Sequence, residues 1–172
     1  MARILVELLG DQVEQIISVI GDDVVTDEAE QRERELLNRR DIGETQKLQL
    51  VKARRGQGLF RARVEIRERG SRVTGVEEKP LLRASHIKPW RDCTDTEKLD
   101  GNNGLLLAPH VDHLFDRGFI SFSMEGDVLV SSRLREKRIL ESWHLDPEMS
   151  VGSFSAEQEE YLRFHRAEVF KE

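Results

Sequence analysis

Three side chains in the middle of the chain have types and an order suited to cutting a phosphodiester: His86 behind the apolar run LLRAS, Asn103 at the head of GLLL, and His113 inside VDHLFD. Hydrolysis of that bond needs a base with a pKa near neutrality, which imidazole offers without a large shift. It also needs a divalent cation to hold the scissile phosphate and offset charge on the leaving oxygen; neutral imidazole nitrogen and amide or carboxylate oxygen are suitable ligands. His86 fits the first office and His113 the second. Taken singly, each residue has an ordinary structural account: a satisfied histidine at a strand end, a turn Asn before Gly, a packed histidine on an amphipathic helix. Their joint occurrence beside a strongly basic segment favours the chemical reading.

The elements around them form a plausible frame. LLRASHI reads as a strand, WRDCTDTEKLDGNNG as a polar excursion, GLLLAP as a second strand, and DHLFDRG as a short helix ended by Gly118, whose tolerance of positive φ suits a C-cap. In that order His86 leaves the first strand, His113 projects from the helix towards it, and Asn103 stands at the mouth of the second strand. FISFSMEGDVLVSS follows as a hairpin turning at Glu-Gly, and Ser155 with Gln158 forms a capping box that opens the helix SAEQEEYLRFHRAEVF. Upstream, RGQG reads as a Gly-Gln-Gly turn, too short and glycine-poor for a nucleotide loop. FRARVEIRER fits a helix, although RARVEI also alternates as a strand would. Residues 3–20 approach a helical period, and Thr26 or Asp27 is a candidate cap for the helix EAEQRERELLNRR.

With 38% apolar and 35% charged residues the chain has a globular composition, and its formal net charge of -6 conceals a strong asymmetry. Residues 1–46 hold five Lys or Arg against twelve Asp or Glu, residues 47–91 thirteen against four, and residues 92–172 nine against seventeen. Local potential rather than the total decides where a polyanion settles. Arg54, Arg55, Arg61, Arg63, Arg67 and Lys88 are therefore the candidates for phosphate contact. The division also suggests an acidic, mainly helical region 1–46, suited to a protein or dimer contact, ahead of a domain 47–172. No stretch is apolar enough for a membrane span, and MARILVELLG is too short and too acidic for a secretory signal, so a cytoplasmic protein with no membrane partner is expected. The lone Cys93 excludes an intrachain disulfide and a four-thiolate zinc site.

The strings ASHIKPW, DGNNGLLLAP and HLFDRG resemble the HNH endonucleases of the restriction-enzyme type. RRGQGLFRARV and VTG before them, and FISFSMEGDVLVS and YLRFHRAEVF after them, extend the likeness over about residues 52–170. The resemblance implies an α+β fold with a ββα-metal core, an added hairpin and flanking helices. It makes His86 the general base, Asn103 the Asn that fixes the loop and the metal or base geometry, and His113 a metal ligand on the helix. It matches Asp116 to an Asp of the helix motif, one turn from His113 and suited to orienting a ligand. Asn102 is the lesser candidate for the Asn position, and His110 falls where the family varies. The implied cofactor is a divalent ion, Mg²⁺ or Mn²⁺ first and Zn²⁺ or Ni²⁺ next. The implied partner is double-stranded DNA, and cutting both strands suits a homodimer.

Two departures from the family pattern bear on activity. Ser85 stands directly before the base, where many members carry an Asp or His that binds the metal, and Ser71 stands where related chains have Cys. The expectation is a metal-dependent DNA endonuclease of restriction or phage-defence type. Its alternatives are a nucleic-acid-binding module of the same fold that has lost hydrolysis, and a protein-interaction domain whose basic segment docks on acidic residues 1–46.

Overall fold

A computed structural model describes residues 43–134 and 137–172, with isolated positions at 35, 37, 38 and 41. The helices expected over residues 3–20 and 28–40, with their Thr26 or Asp27 cap, lie outside or almost wholly outside these residues. The chain divides into two compact units, Met1–Ala62 and Arg63–Glu172.

Helix α1, Glu44–Arg67, crosses that division. It begins with Glu44 in its first turn, where a carboxylate suits the helix dipole, and Lys47 Nζ returns to Glu44 at 2.7 Å. The helix runs unbroken through RGQG, correcting the expected turn, and takes in RARVEI, which settles the helix-or-strand alternative. Glycine inside a helix costs about 1 kcal/mol relative to alanine. Strong helix formers on both sides (KLQLVKARR and LFRA) offset two such residues, and nothing else in RGQG forces a reversal. The charge boundary at residues 46 and 47 falls in the first turn of this helix.

The second unit is built around two antiparallel strands and a helix. Strand β1, Arg83–His86, pairs with β2, Gly104–Leu107, so that Ser85 lies opposite Leu105 and His86 opposite Gly104. All four residues of β2 are buried, as expected of the run GLLL. Pro109 then opens helix α2, Pro109–Asp116, which buries Val111, Leu114 and Phe115 on one face. Its end is a Schellman arrangement: Gly118 N–H donates to the Phe115 carbonyl and Phe119 N–H to the Leu114 carbonyl, both at 2.8 Å. Gly118 has φ +69°, and a Cβ there would come within 1.9 Å of the Val169 carbonyl oxygen, so both conformation and close approach require glycine.

The hairpin follows as expected, with β3, Ile120–Phe122, against β4, Val128–Val130. After the short helix α3, Lys137–Ser142, the capping box of Ser155 and Gln158 opens α4, Ala156–Phe164. Gln158 and Glu159 are buried on it, and Gln158 Nε2 donates to buried Glu68 at 2.8 Å, a carboxylate also gripped by Arg72 at 2.7 and 2.8 Å. The sequence suggested one continuous helix to Phe170; instead the last turn, His165–Val169, widens to a π-helix.

That turn carries a histidine for which the sequence offered no role. His165 is 1% exposed; its ring stacks flat on Phe115 at 3.9 Å, Nε2 donates to the Phe115 carbonyl at 3.1 Å, and Nδ1 accepts from the Ser121 hydroxyl at 2.9 Å. Burial holds its pKa down to about 4, opposed in part by the Phe115 carbonyl. The fold therefore favours the neutral ring, and the unfolded chain takes up the proton first as pH falls below about 6.5. The stability involved is complete above that pH and is lost towards pH 4, amounting to about 3 kcal/mol at about 1.4 kcal/mol per pH unit. Urea unfolding at pH 7.0, 6.0 and 5.0 should show this slope in the wild type and a flatter one in His165→Gln; parallel curves would contradict it. In α1, a Cβ at Gly58 meets nothing within 4 Å. Gly58→Ala should raise the stability measured by urea unfolding by roughly 0.5–1 kcal/mol, and a lowered urea midpoint would count against an unbroken helix there.

Candidate active site

His86 ends β1 with its ring half-buried and turned to the loop that connects the two strands. Its Nε2 lies 3.0 Å from the Lys98 carbonyl oxygen. A carbonyl only accepts, so the neutral ring carries its proton on Nε2 and its basic lone pair on Nδ1. Burial pushes the pKa below the ordinary imidazole value, and the Lys98 carbonyl opposes that only in part. The ring is thus neutral, and able to accept a proton, at neutral pH. Trp90 meets it edge-on at 5.4 Å.

Asn103 is the anchor of the same loop. It is fully buried: Oδ1 accepts from Lys88 N–H at 2.8 Å, and Nδ2 donates to the Glu97 carbonyl at 3.1 Å, with the Lys88 carbonyl at 3.4 Å and Cys93 Sγ at 3.2 Å. Its own carbonyl accepts from Ile87 N–H at 3.0 Å. One amide thus ties the residues after His86 to the start of the 3₁₀ turn before Lys98. The Asn103 amide oxygen, expected as a metal ligand, is enclosed and already accepts a backbone N–H. Cys93 is a packing element here, its thiol donating to the Lys88 carbonyl at 3.2 Å and its pKa raised by burial.

The helix presents a different environment. Strand alternation turns Arg83 and Ser85 to the side opposite His86, where they meet α2. Arg83 Nη1 pairs with buried Asp112 at 2.9 Å, and Ser85 Oγ donates to Asp116 Oδ1 at 3.3 Å. Asp112 and Asp116 are one turn apart, yet only the first has a guanidinium. Burial, and then the Asp112 charge, raise the Asp116 carboxyl above its ordinary value; the Ser85 hydroxyl, Arg83 and His113 oppose them. Asp116 is exposed as a residue, with one oxygen turned inward to buried Ser85. His113, also exposed, lies three residues earlier on the same helical side. Asp116, expected to orient a ligand, is therefore a carboxyl whose ionisation burial and the Asp112 charge disfavour. Among the described residues no group of three or more His, Cys, Asp or Glu side chains comes together to hold an ion.

The basic candidates are differently placed. Lys88 Nζ is held by both oxygens of Glu97 at 2.8 and 3.0 Å, and its side chain is only 17% exposed. Arg63 donates to the Leu99 carbonyl at 3.0 Å, and Arg67 to Asn102 Oδ1 at 2.8 Å. Arg54, Arg55 and Arg61 lie on α1 within the first unit. His110 packs edge-on to Trp143 at 5.6 Å. The sequence reading passed over Asp100 and Tyr161, whose hydrogen bond of 2.8 Å spans 61 positions and leaves no local signal.

Residues 71–123, about a third of the chain, match a family model described as HNH endonuclease. The match supports membership in the HNH endonuclease superfamily. It spans β1, β2, α2 and β3, and the antiparallel pair followed by α2 is the ββα-metal arrangement of the HNH fold. Comparison with curated proteins gives no match. Among the described residues no helix is long and apolar enough to cross a membrane.

Ser85 tests the acidic side of this HNH core. Ser85→Asp would set a second carboxylate beside Asp116. In chelator the variant should lose roughly 1–3 kcal/mol through charge repulsion and desolvation. Mn²⁺ should restore it and bind more tightly than to the wild type, as read by thermal melting and calorimetry. A lowered melting temperature that Mn²⁺ does not restore would contradict the idea that this position is open to an ion.

Proposed function

We propose that the chain is a metal-dependent endonuclease of double-stranded DNA, with His86 as its general base. The observation that carries this is the bond from His86 Nε2 to the Lys98 carbonyl, which sets the tautomer that places the lone pair on Nδ1. The attacking water gives its proton to Nδ1 as its oxygen bonds to phosphorus and the bond from phosphorus to the leaving ester oxygen breaks, and the resulting imidazolium is stabilised through Nε2–H by the same carbonyl. The depressed pKa keeps the base unprotonated at neutral pH.

The donor chemistry of α2 fits an ion with few protein ligands. Asp116 and His113, both exposed and one turn apart on α2, would hold it, leaving the remaining positions to water and phosphate, as Mg²⁺ commonly does. Bound there, Mg²⁺ or Mn²⁺, or Zn²⁺ or Ni²⁺ through the imidazole, would polarise the phosphoryl oxygens and offset charge on the leaving oxygen. Because Ser85 and His86 leave β1 in opposite directions, this assignment requires the His86 ring, at the strand end, to reach the same phosphate that the α2 ligands hold. The net positive segment 47–91 supports a polyanionic substrate, with Arg54, Arg55, Arg61, Arg63 and Arg67 positioning without specifying sequence. A restriction or phage-defence role and a homodimer are the finer forms of this proposal.

The small donor set and Ser85 favour one second reading, a DNA-binding module without hydrolysis. Incubation of supercoiled DNA with Mg²⁺, Mn²⁺, Zn²⁺, Ni²⁺ or chelator separates the two. The wild type should nick or linearise it with at least one ion. His86→Ala should lower the rate by roughly 100-fold or more while Mn²⁺ binding survives, and His113→Ala should weaken both. DNA binding without cleavage under every ion would select the second reading.

A further inference from the structure

The residues from Glu97 to Asn103 present three consecutive carbonyls to three different donors. Glu97 accepts from Asn103 Nδ2, Lys98 from His86 Nε2, and Leu99 from Arg63 Nη1 at 3.0 Å. The base therefore bonds to the middle of a segment whose two neighbours are separately pinned. The next residue, Asp100, is a junction. Its carbonyl accepts from Asn103 N–H at 3.0 Å, its Oδ1 from Asn102 N–H at 2.8 Å, and its Oδ2 from Tyr161 Oη at 2.8 Å. Gly101 lies so close to the end of α1 that a Cβ would come within 2.6 Å of the Arg63 carbonyl oxygen. Of these partners, Arg63 and Tyr161 lie outside the matched residues 71–123.

We infer that Tyr161, from helix α4, is a positioning residue for the base: through Asp100 it fixes the loop whose Lys98 carbonyl selects the His86 tautomer. The inference rests on His86 being the general base. Tyr161 acts through Asp100, by holding the backbone two residues beyond the Lys98 acceptor. Burial, and the hydrogen bond to Asp100, raise the phenol's pKa, so the hydroxyl remains a donor across the working range. Without it the carboxylate loses its tether to α4, and the 3₁₀ turn Gly101–Asn103 that it caps, with the Lys98 carbonyl before it, is held less tightly, by the remaining Asn103 and Arg63 bonds. A base displaced by about 1 Å is expected to slow the chemical step by roughly 100-fold while leaving binding of the DNA backbone nearly intact.

Imidazole ¹⁵N shifts of His86 in the intact chain report the tautomer independently of cleavage. The wild type should show the Nε2–H form. Tyr161→Phe, which keeps the ring and its packing, should show a mixture, with kcat lowered roughly 10- to 100-fold and KM for DNA changed by no more than about 2-fold. Asp100→Ala attacks the same bond from the loop side and should reproduce the effect, and the double variant should be no worse than Asp100→Ala alone. A wild-type tautomer and wild-type kcat in Tyr161→Phe would overturn the inference, as would additive effects in the double variant. Wild-type cleavage by His86→Ala would instead sink the general-base reading, and the tautomer comparison would still decide whether Tyr161 holds the loop.

Discussion

The hydrogen bond from His86 Nε2 to the Lys98 carbonyl is the constraint on which the rest of the site depends. It joins a strand end to a loop residue twelve positions later, and a backbone carbonyl in a polar excursion has no fixed place of its own. The fully buried Asn103 amide supplies that place by closing Lys88 onto Glu97, and the Lys88–Glu97 ion pair reinforces the same closure from outside. Loop ordering carries an entropic cost of about 1–2 kcal/mol per residue, so several such bonds are needed to hold one acceptor still. Satisfying a buried amide on both its oxygen and its nitrogen is what makes the arrangement stable, since a half-satisfied one would cost more than it contributes.

The same strand serves two environments by alternation. One side of β1 delivers His86 to the loop, and the other delivers Arg83 and Ser85 to the acids of α2. Arg83 pairs with Asp112, whereas Asp116 meets the Ser85 hydroxyl, and burial, then the Asp112 charge, raise the Asp116 carboxyl above its ordinary value. The serine directly before His86 is a buried hydroxyl that holds the Asp116 carboxylate in place, with one oxygen turned inward.

Local signals made much of this fold legible. The apolar runs around His86 and at GLLL, Gly118 after DHLFDR, and the Ser155–Gln158 box each act within a few residues and mark elements that formed there. The helix expected from DHLFDRG nevertheless starts three residues earlier, at Pro109, which the reading of GLLLAP assigns to the strand. The RGQG segment misled because glycine marks turns and is also tolerated inside a helix whose flanks propagate well. The π-turn at His165 was invisible because its ring bonds to Ser121 and Phe115, more than forty positions away. At the site, residue type and order singled out His86, Asn103 and His113. They did not reveal that Asn103 is enclosed or that Asp116 meets Ser85, because both depend on which long-range partners arrive.

Asn103→Asp with Mn²⁺ titrated into the intact chain tests most directly whether Asn103 anchors the loop or holds the ion. The substitution keeps an acceptor for Lys88 N–H, removes the donors to Glu97 and Cys93, and creates a stronger ligand for a divalent ion. An anchor predicts a lower melting temperature, a lower cleavage rate and no gain in Mn²⁺ affinity. Tighter Mn²⁺ binding with the melting temperature maintained would contradict the account and return Asn103 to the metal.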